Sequence, residues 1–119
     1  MTKLIHKNKT ILSSMSKTSN FIGLTLGLMF ASPKRVKKGL CLILPTKSGM
    51  RTSIHMFFCF YPYQILFLDS DLKVIDIKTL QPWTFSYKPE QPIKYAIESW
   101  PGTFDNIKIG DKVKLQNFS

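Results

Sequence analysis

The chain has 119 residues, 44% of them hydrophobic and 13% aromatic, with seven acids against seventeen Lys and Arg and a formal net charge of +10. That length supports one core and excludes two full domains, and the apolar share excludes a disordered chain. The charge is unevenly placed: residues 1–68 carry ten Lys and Arg and no acid, whereas residues 69–119 carry seven Lys and seven acids.

Lys3 to Leu12 reads as a short hairpin, LIH and TIL about a Lys7-Asn8 turn. Ser13 to Asn20 is polar. Asn20 caps a short helix over Phe21 to Met29, where Phe21, Leu24 and Leu28 recur at helical spacing. Gly23 and Gly27 weaken that helix, and Ala31-Ser32-Pro33 ends it. The basic cluster Lys34, Arg35, Lys37 and Lys38 then reads as a loop.

Gly39 to Leu44 is a strand closed by Pro45, and Thr46 to Thr52 is a turn. The densest apolar block follows, SIHMFFCFYPYQILFLD from Ser53 to Asp69. Its run is shorter than the roughly 20 residues of a bilayer span and holds Pro62 and Gln64, so it reads as two core strands, Ile54–Phe60 and Gln64–Leu68. Asp69-Ser70-Asp71 turns the chain into a further strand, Leu72 to Thr79.

From Gln81 to Pro92 the chain alternates prolines with Trp83, Phe85 and Tyr87. It is too Pro-rich to pair in a sheet and too aromatic to stay solvated, so it is expected to lie over the sheet face carrying Tyr95 and Ile97. Lys94 to Glu98 and Lys112 to Gln116 are the last strands, the second with Val113 and Leu115 inward. Many short strands with Gly and Pro turns predict a mainly β fold: an antiparallel sandwich or barrel, a single domain over residues 1–119, with one short helix.

The basic N-terminus followed by FIGLTLGLMFA superficially resembles a secretory leader. Its apolar stretch starts late, its small residues do not form a cleavage site, and two glycines interrupt it; the protein is therefore expected to be cytoplasmic. Cys41 and Cys59 each lie inside an apolar run, which predicts buried, reduced thiols. Two cysteines and two separated histidines make no zinc spacing, and Met29, Met50 and Met56 read as core residues. No cofactor or metal is expected.

Six motifs occur in order: GLMF (27–30), GLCLIL (39–44), HMFFCFYPYQILFLD (55–69), VIDIKTLQPW (74–83), KYAIESWPG (94–102) and IGDKVKL (109–115). Together they resemble the prokaryotic family called domain of unknown function 192, across roughly Leu4 to Leu115. HMFF and SYKP resemble its short archaeal members. The resemblance implies a fold related to jelly rolls and implies no activity or substrate. One position departs: the family places an acid after Pro and an apolar residue, where this chain reads Pro62, Tyr63, Gln64.

No nucleophile has a base beside it, and no Gly-rich phosphate loop occurs. The polar groups nearest apolar strands are His55, Gln64, Tyr95 and Glu98. With Trp83 and Trp100 they suggest a small-ligand or partner site near the aromatic segment, apolar with few polar groups. Trp83 and Trp100 are then expected close together, with Glu98 and His55 within reach. Glu98 has an alternative role, accepting backbone N–H bonds from the turn that follows it. The second functional reading is an RNA- or DNA-binding face using Lys34, Arg35, Lys37, Lys38, Lys47 and Arg51 on phosphates.

Overall fold

The computed structural model describes residues 2–19, 31–44, 59–84, 87 and 89–117. β1 (Thr2–His6) and β2 (Lys9–Thr18) form the predicted hairpin. Lys7 and Asn8 take φ of 50° and 66°, the left-handed values that match a two-residue turn to the twist of its strands. β2 runs on through the polar stretch from Ser13, because Met15 is buried there and its backbone pairs on both sides.

A short helix, α1 (Pro33–Lys38), follows. This corrects the loop reading of the basic cluster. Ser32 caps it, its Oγ accepting from the Arg35 N–H at 3.4 Å, and Pro33 begins it where a missing N–H costs nothing. Ser-Pro is thus a start signal here, not a stop. Gly39 ends the helix at φ 88°, donating its N–H to the Arg35 and Val36 carbonyls. The helix expected over Phe21 to Met29 lies outside the described residues.

β3 (Leu40–Ile43), β4 (Tyr63–Leu68), β5 (Val74–Leu80), β6 (Tyr95–Ser99) and β7 (Lys114–Gln116) complete a seven-stranded sheet in the order β5-β4-β6-β3-β2-β1-β7. The fold is mainly β, as expected. All pairings are antiparallel except β2 with β3, which run parallel with Ser16 opposite Leu40. Of the strand expected over Ile54 to Phe60, residues 54–58 lie outside the described residues, and Cys59 and Phe60 are not in a strand.

The sheet curls into a half-barrel whose ends return to each other. Gly110 donates to the Val74 carbonyl at 2.9 Å, Val74 to Asp111 at 2.8 Å, and Val113 to Leu72 at 3.1 Å. Both faces are buried, which explains why Ile65 to Leu68 of β4 reads as an unbroken apolar run. Cys41, Leu66, Leu68 and Ile97 join Leu4, Met15, Phe104 and Val113 on the inner face. Leu40, Leu42, Tyr63, Ile65, Phe67 and Ala96 form the outer face, covered by Val36 of α1, Cys59 and Ile93. Each such side chain contributes roughly 1.5–3 kcal/mol when fully buried.

Tyr87 packs on Phe67 with ring centroids 5.7 Å apart. The aromatic segment at this point therefore covers the outer face, not the face of Tyr95 and Ile97. Among the described residues, no helix is long and apolar enough to cross a membrane.

Candidate functional site

Glu98 is the polar residue whose placement the fold explains least. It lies in the middle of the sheet, opposite Leu40 of β3 and Ile65 of β4. Strand alternation aims it at the outer face with Ala96, under α1. It is 4% exposed, and its Oε1 has no hydrogen-bond partner among the described residues. The expected bonds from the following turn are not made to this oxygen. Burial pushes the carboxyl up from 4.5 to about 7.

Cys59 and Tyr63 lie close enough for the Glu98 charge to act on both. Their thiol and phenol share a hydrogen bond. Burial raises Cys59 to about 11, against the lowering effect of that bond. Burial also raises Tyr63, while the nearby Arg35 charge opposes it. Neither ionises near neutral pH, so neither is an activated nucleophile. Neither was singled out for the site from sequence, where Cys59 reads as core and Tyr63 only as the residue before Gln64.

Trp100 continues the Ala96–Glu98 side of β6 and packs against the same outer core. Its ring meets Tyr61 at 5.6 Å, tilted by 45°, and the Lys37 Nζ lies 5.3 Å from its centroid. Ser99 fastens this corner to α1 by donating its Oγ to the Val36 carbonyl at 3.2 Å. Trp83 is 49% exposed and meets Phe60 edge-on at 6.2 Å. The two indoles thus contact consecutive aromatics, Phe60 and Tyr61.

Tyr95 and Gln64 belong to the inner face and do not join Glu98. Gln64 is a satisfied strut: its Nε2 donates to Asp105 Oδ1, and its Oε1 accepts from the Phe104 N–H. Only Glu98 and Trp100 of the predicted ligand set share the outer side of β6. His55 lies outside the described residues, as do Lys47 and Arg51.

The basic cluster divides. Lys34, Lys37 and Lys38 border a groove of about 330 Å³ against Ile11, Leu12, Ser13 and Ser14 of β2. Arg35 instead acts on Tyr63. A second cleft of about 330 Å³, lined by Lys7, Lys112 and Lys114 with Ile5, Asn8 and Val113, flanks the first hairpin. A third, of about 420 Å³, lies beside Asp76, Tyr87 and Glu90. Asp76 accepts from the Tyr87 hydroxyl, and burial raises that phenol to about 12. Among the described residues, no three His, Cys, Asp or Glu side chains gather as metal ligands would.

The chain is similar to known proteins over almost its whole length. A UPF0127 protein of Pyrococcus horikoshii is 40% identical over 97 residues, covering 80% of this chain and 81% of that one. A UPF0127 protein of Pyrococcus furiosus is 33% identical over 112 residues, covering 92% and 93%. A crystal structure of a protein of unknown function from Novosphingobium aromaticivorans shares the fold, with a TM-score of 0.75 over 95% of this chain and 82% of that one, at 19% identity. The archaeal relatives agree with the resemblance carried by HMFF and SYKP. Residues 5–115 match the model of DUF192, described as Uncharacterized ACR, and the chain belongs to that family.

Proposed function

We propose that the protein is a cytoplasmic, non-catalytic binding module for a small ligand bearing a hydrogen-bond donor, held at Glu98 beside Tyr61 and Trp100. The supporting observation is the Glu98 Oε1, buried and without a hydrogen-bond partner among the described residues. An unmatched buried acceptor costs roughly 1–3 kcal/mol, which a ligand N–H or O–H would recover. Tyr61 and Trp100 supply a tilted aromatic pair on the same side, the apolar surface that small-ligand sites use. The raised thiol and phenol of Cys59 and Tyr63 favour binding over chemistry.

A thermal-shift panel of small amines, alcohols and hydroxylated heterocycles tests this reading. At least one donor-bearing compound should raise the melting temperature of the parent protein and not that of Glu98→Gln. A compound that stabilises both equally, or a panel with no response, would refute the reading.

A further inference from the structure

Lys34, Lys37 and Lys38 stand at i, i+3 and i+4 of α1, so they share one face of a six-residue helix. Like charges at this spacing repel, each pair costing roughly 0.2–0.5 kcal/mol. The last turn of the helix favours Lys37 and Lys38, but Lys34 gains nothing from it. The first turn of α1 has no acid, and no carboxylate lines the groove among the described residues. The surrounding sequence offers none either, since residues 1–68 contain no Asp or Glu. Across the groove, Ser13 and Ser14 of β2 line it beside Ile11 and Leu12. Three lysines and two serines thus line one open groove, Lys37 with its Nζ beside Trp100.

We propose that this groove binds a small phosphoryl-bearing organic molecule, its phosphoryl oxygens on Lys34, Lys37 and Lys38 and its organic part against Ile11 and Leu12. Lysines meet phosphoryl oxygens as compact point charges with three donors each, whereas planar carboxylate recognition favours Arg, and Arg35 is not among the groove residues. A single-stranded nucleic acid is the poorer fit. Its proteins stack bases on aromatic side chains along an extended basic track, and no aromatic lines this groove among the described residues. The exposed Phe60 and Trp83 are likewise absent from its lining. The groove does not rest on the Glu98 reading; the two places meet at the Lys37–Trp100 contact, and Lys34→Gln and Lys38→Gln test the groove apart from it.

Lys37 provides a reporter, because its Nζ lies over the Trp100 ring at 5.3 Å. An anion that engages Lys37 changes the charge beside that indole. In the full chain carrying Trp83→Phe, Trp100 is the sole tryptophan. Titration with pyrophosphate and with glycerol phosphate at low salt should give a saturable change in Trp100 fluorescence and a matching calorimetric isotherm. Lys34→Gln and Lys38→Gln should each weaken binding by about tenfold, the loss expected for a charge-assisted hydrogen bond. Ser13→Ala with Ser14→Ala should weaken it as well and leaves the helix untouched. Lys112→Gln with Lys114→Gln, in the other lysine cleft, should leave it unchanged. Three outcomes would overturn the proposal: no saturable binding, an equal loss in the Lys112/Lys114 control, or affinity that grows with the length of a single-stranded oligonucleotide.

Discussion

Gln64 and Asp105 fasten the loop after β6 to the centre of the sheet. Gln64 Nε2 donates to Asp105 Oδ1 at 3.1 Å, and Gln64 Oε1 accepts from the Phe104 N–H at 2.8 Å. The amide is used at both ends, which a carboxylate cannot do, because it only accepts. The family resemblance implies an acid at this position; here the amide is matched by an acid forty-one residues away.

Gln64→Glu should therefore set two carboxylates against each other and cost roughly 1–3 kcal/mol at neutral pH. Urea denaturation would measure it. Adding Asp105→Asn restores a donor and should recover part of the loss. A Gln64→Glu protein as stable as the parent at pH 7 would show that the strut contributes nothing.

Glu98 should make stability fall as pH rises. Its carboxyl is near 4.5 when exposed and about 7 when folded, so between these values the folded state holds more protons. Stability is then fully present below pH 4.5 and declines through pH 7, by a total on the order of 3 kcal/mol. Glu98→Gln keeps the shape and removes the charge. Its pH profile should be flatter over this window, and the variant should be the more stable protein at pH 8. Superimposable profiles for the two proteins would contradict the assignment.

Cys41 and Cys59 should resist thiol reagents in the native protein. Both are buried and neither is in a disulfide, and burial raises them to about 12 and about 11, so little thiolate exists at pH 8. Labelling with a chromogenic disulfide should be slow until denaturant is added, then fast for both. Rapid native labelling of both would overturn the assignment.

Asp111 should contribute to acid stability. Its carboxylate accepts from the Lys108 N–H at 3.0 Å and meets His6 Nε2 at 2.8 Å, where the two ends of the sheet join. The backbone bond first, and then His6, hold its carboxyl below the usual 3.8. A lowered folded value stabilises above 3.8 and loses that stabilisation as pH falls below it. Asp111→Asn should begin acid unfolding at higher pH than the parent, followed by circular dichroism. Coincident acid transitions would exclude this role.

Local rules made much of the fold legible. Lys7-Asn8 and Asp69-Ser70-Asp71 read correctly as turns, since their chemistry acts within a few residues: Asp69 Oδ1 accepts from both the Asp71 and Lys73 N–H groups. The apolar run Ile65 to Leu68 of β4, without polar alternation, reads as a strand buried on both faces, and it is. The misreadings arose where local signals compete. Ser32-Pro33 can end one helix or start another, and the polar stretch from Ser13 shows its strand only once its backbone is paired with Gly39 and β3.

The candidate site was legible in residue types but not in sides. Tyr95, Gln64 and Glu98 all follow from sequence as polar groups beside apolar strands, yet the pleat sends Glu98 outward and the other two inward. Cys59 reads only as core and Tyr63 only as the residue before Gln64, because the carboxyl beside them comes from a different strand. Composition and turn chemistry thus determined a mainly β chain with a buried central strand and an acid-free first half. Tertiary structure alone decided which side chains meet, because register and the hand of the curl depend on contacts between residues far apart in sequence.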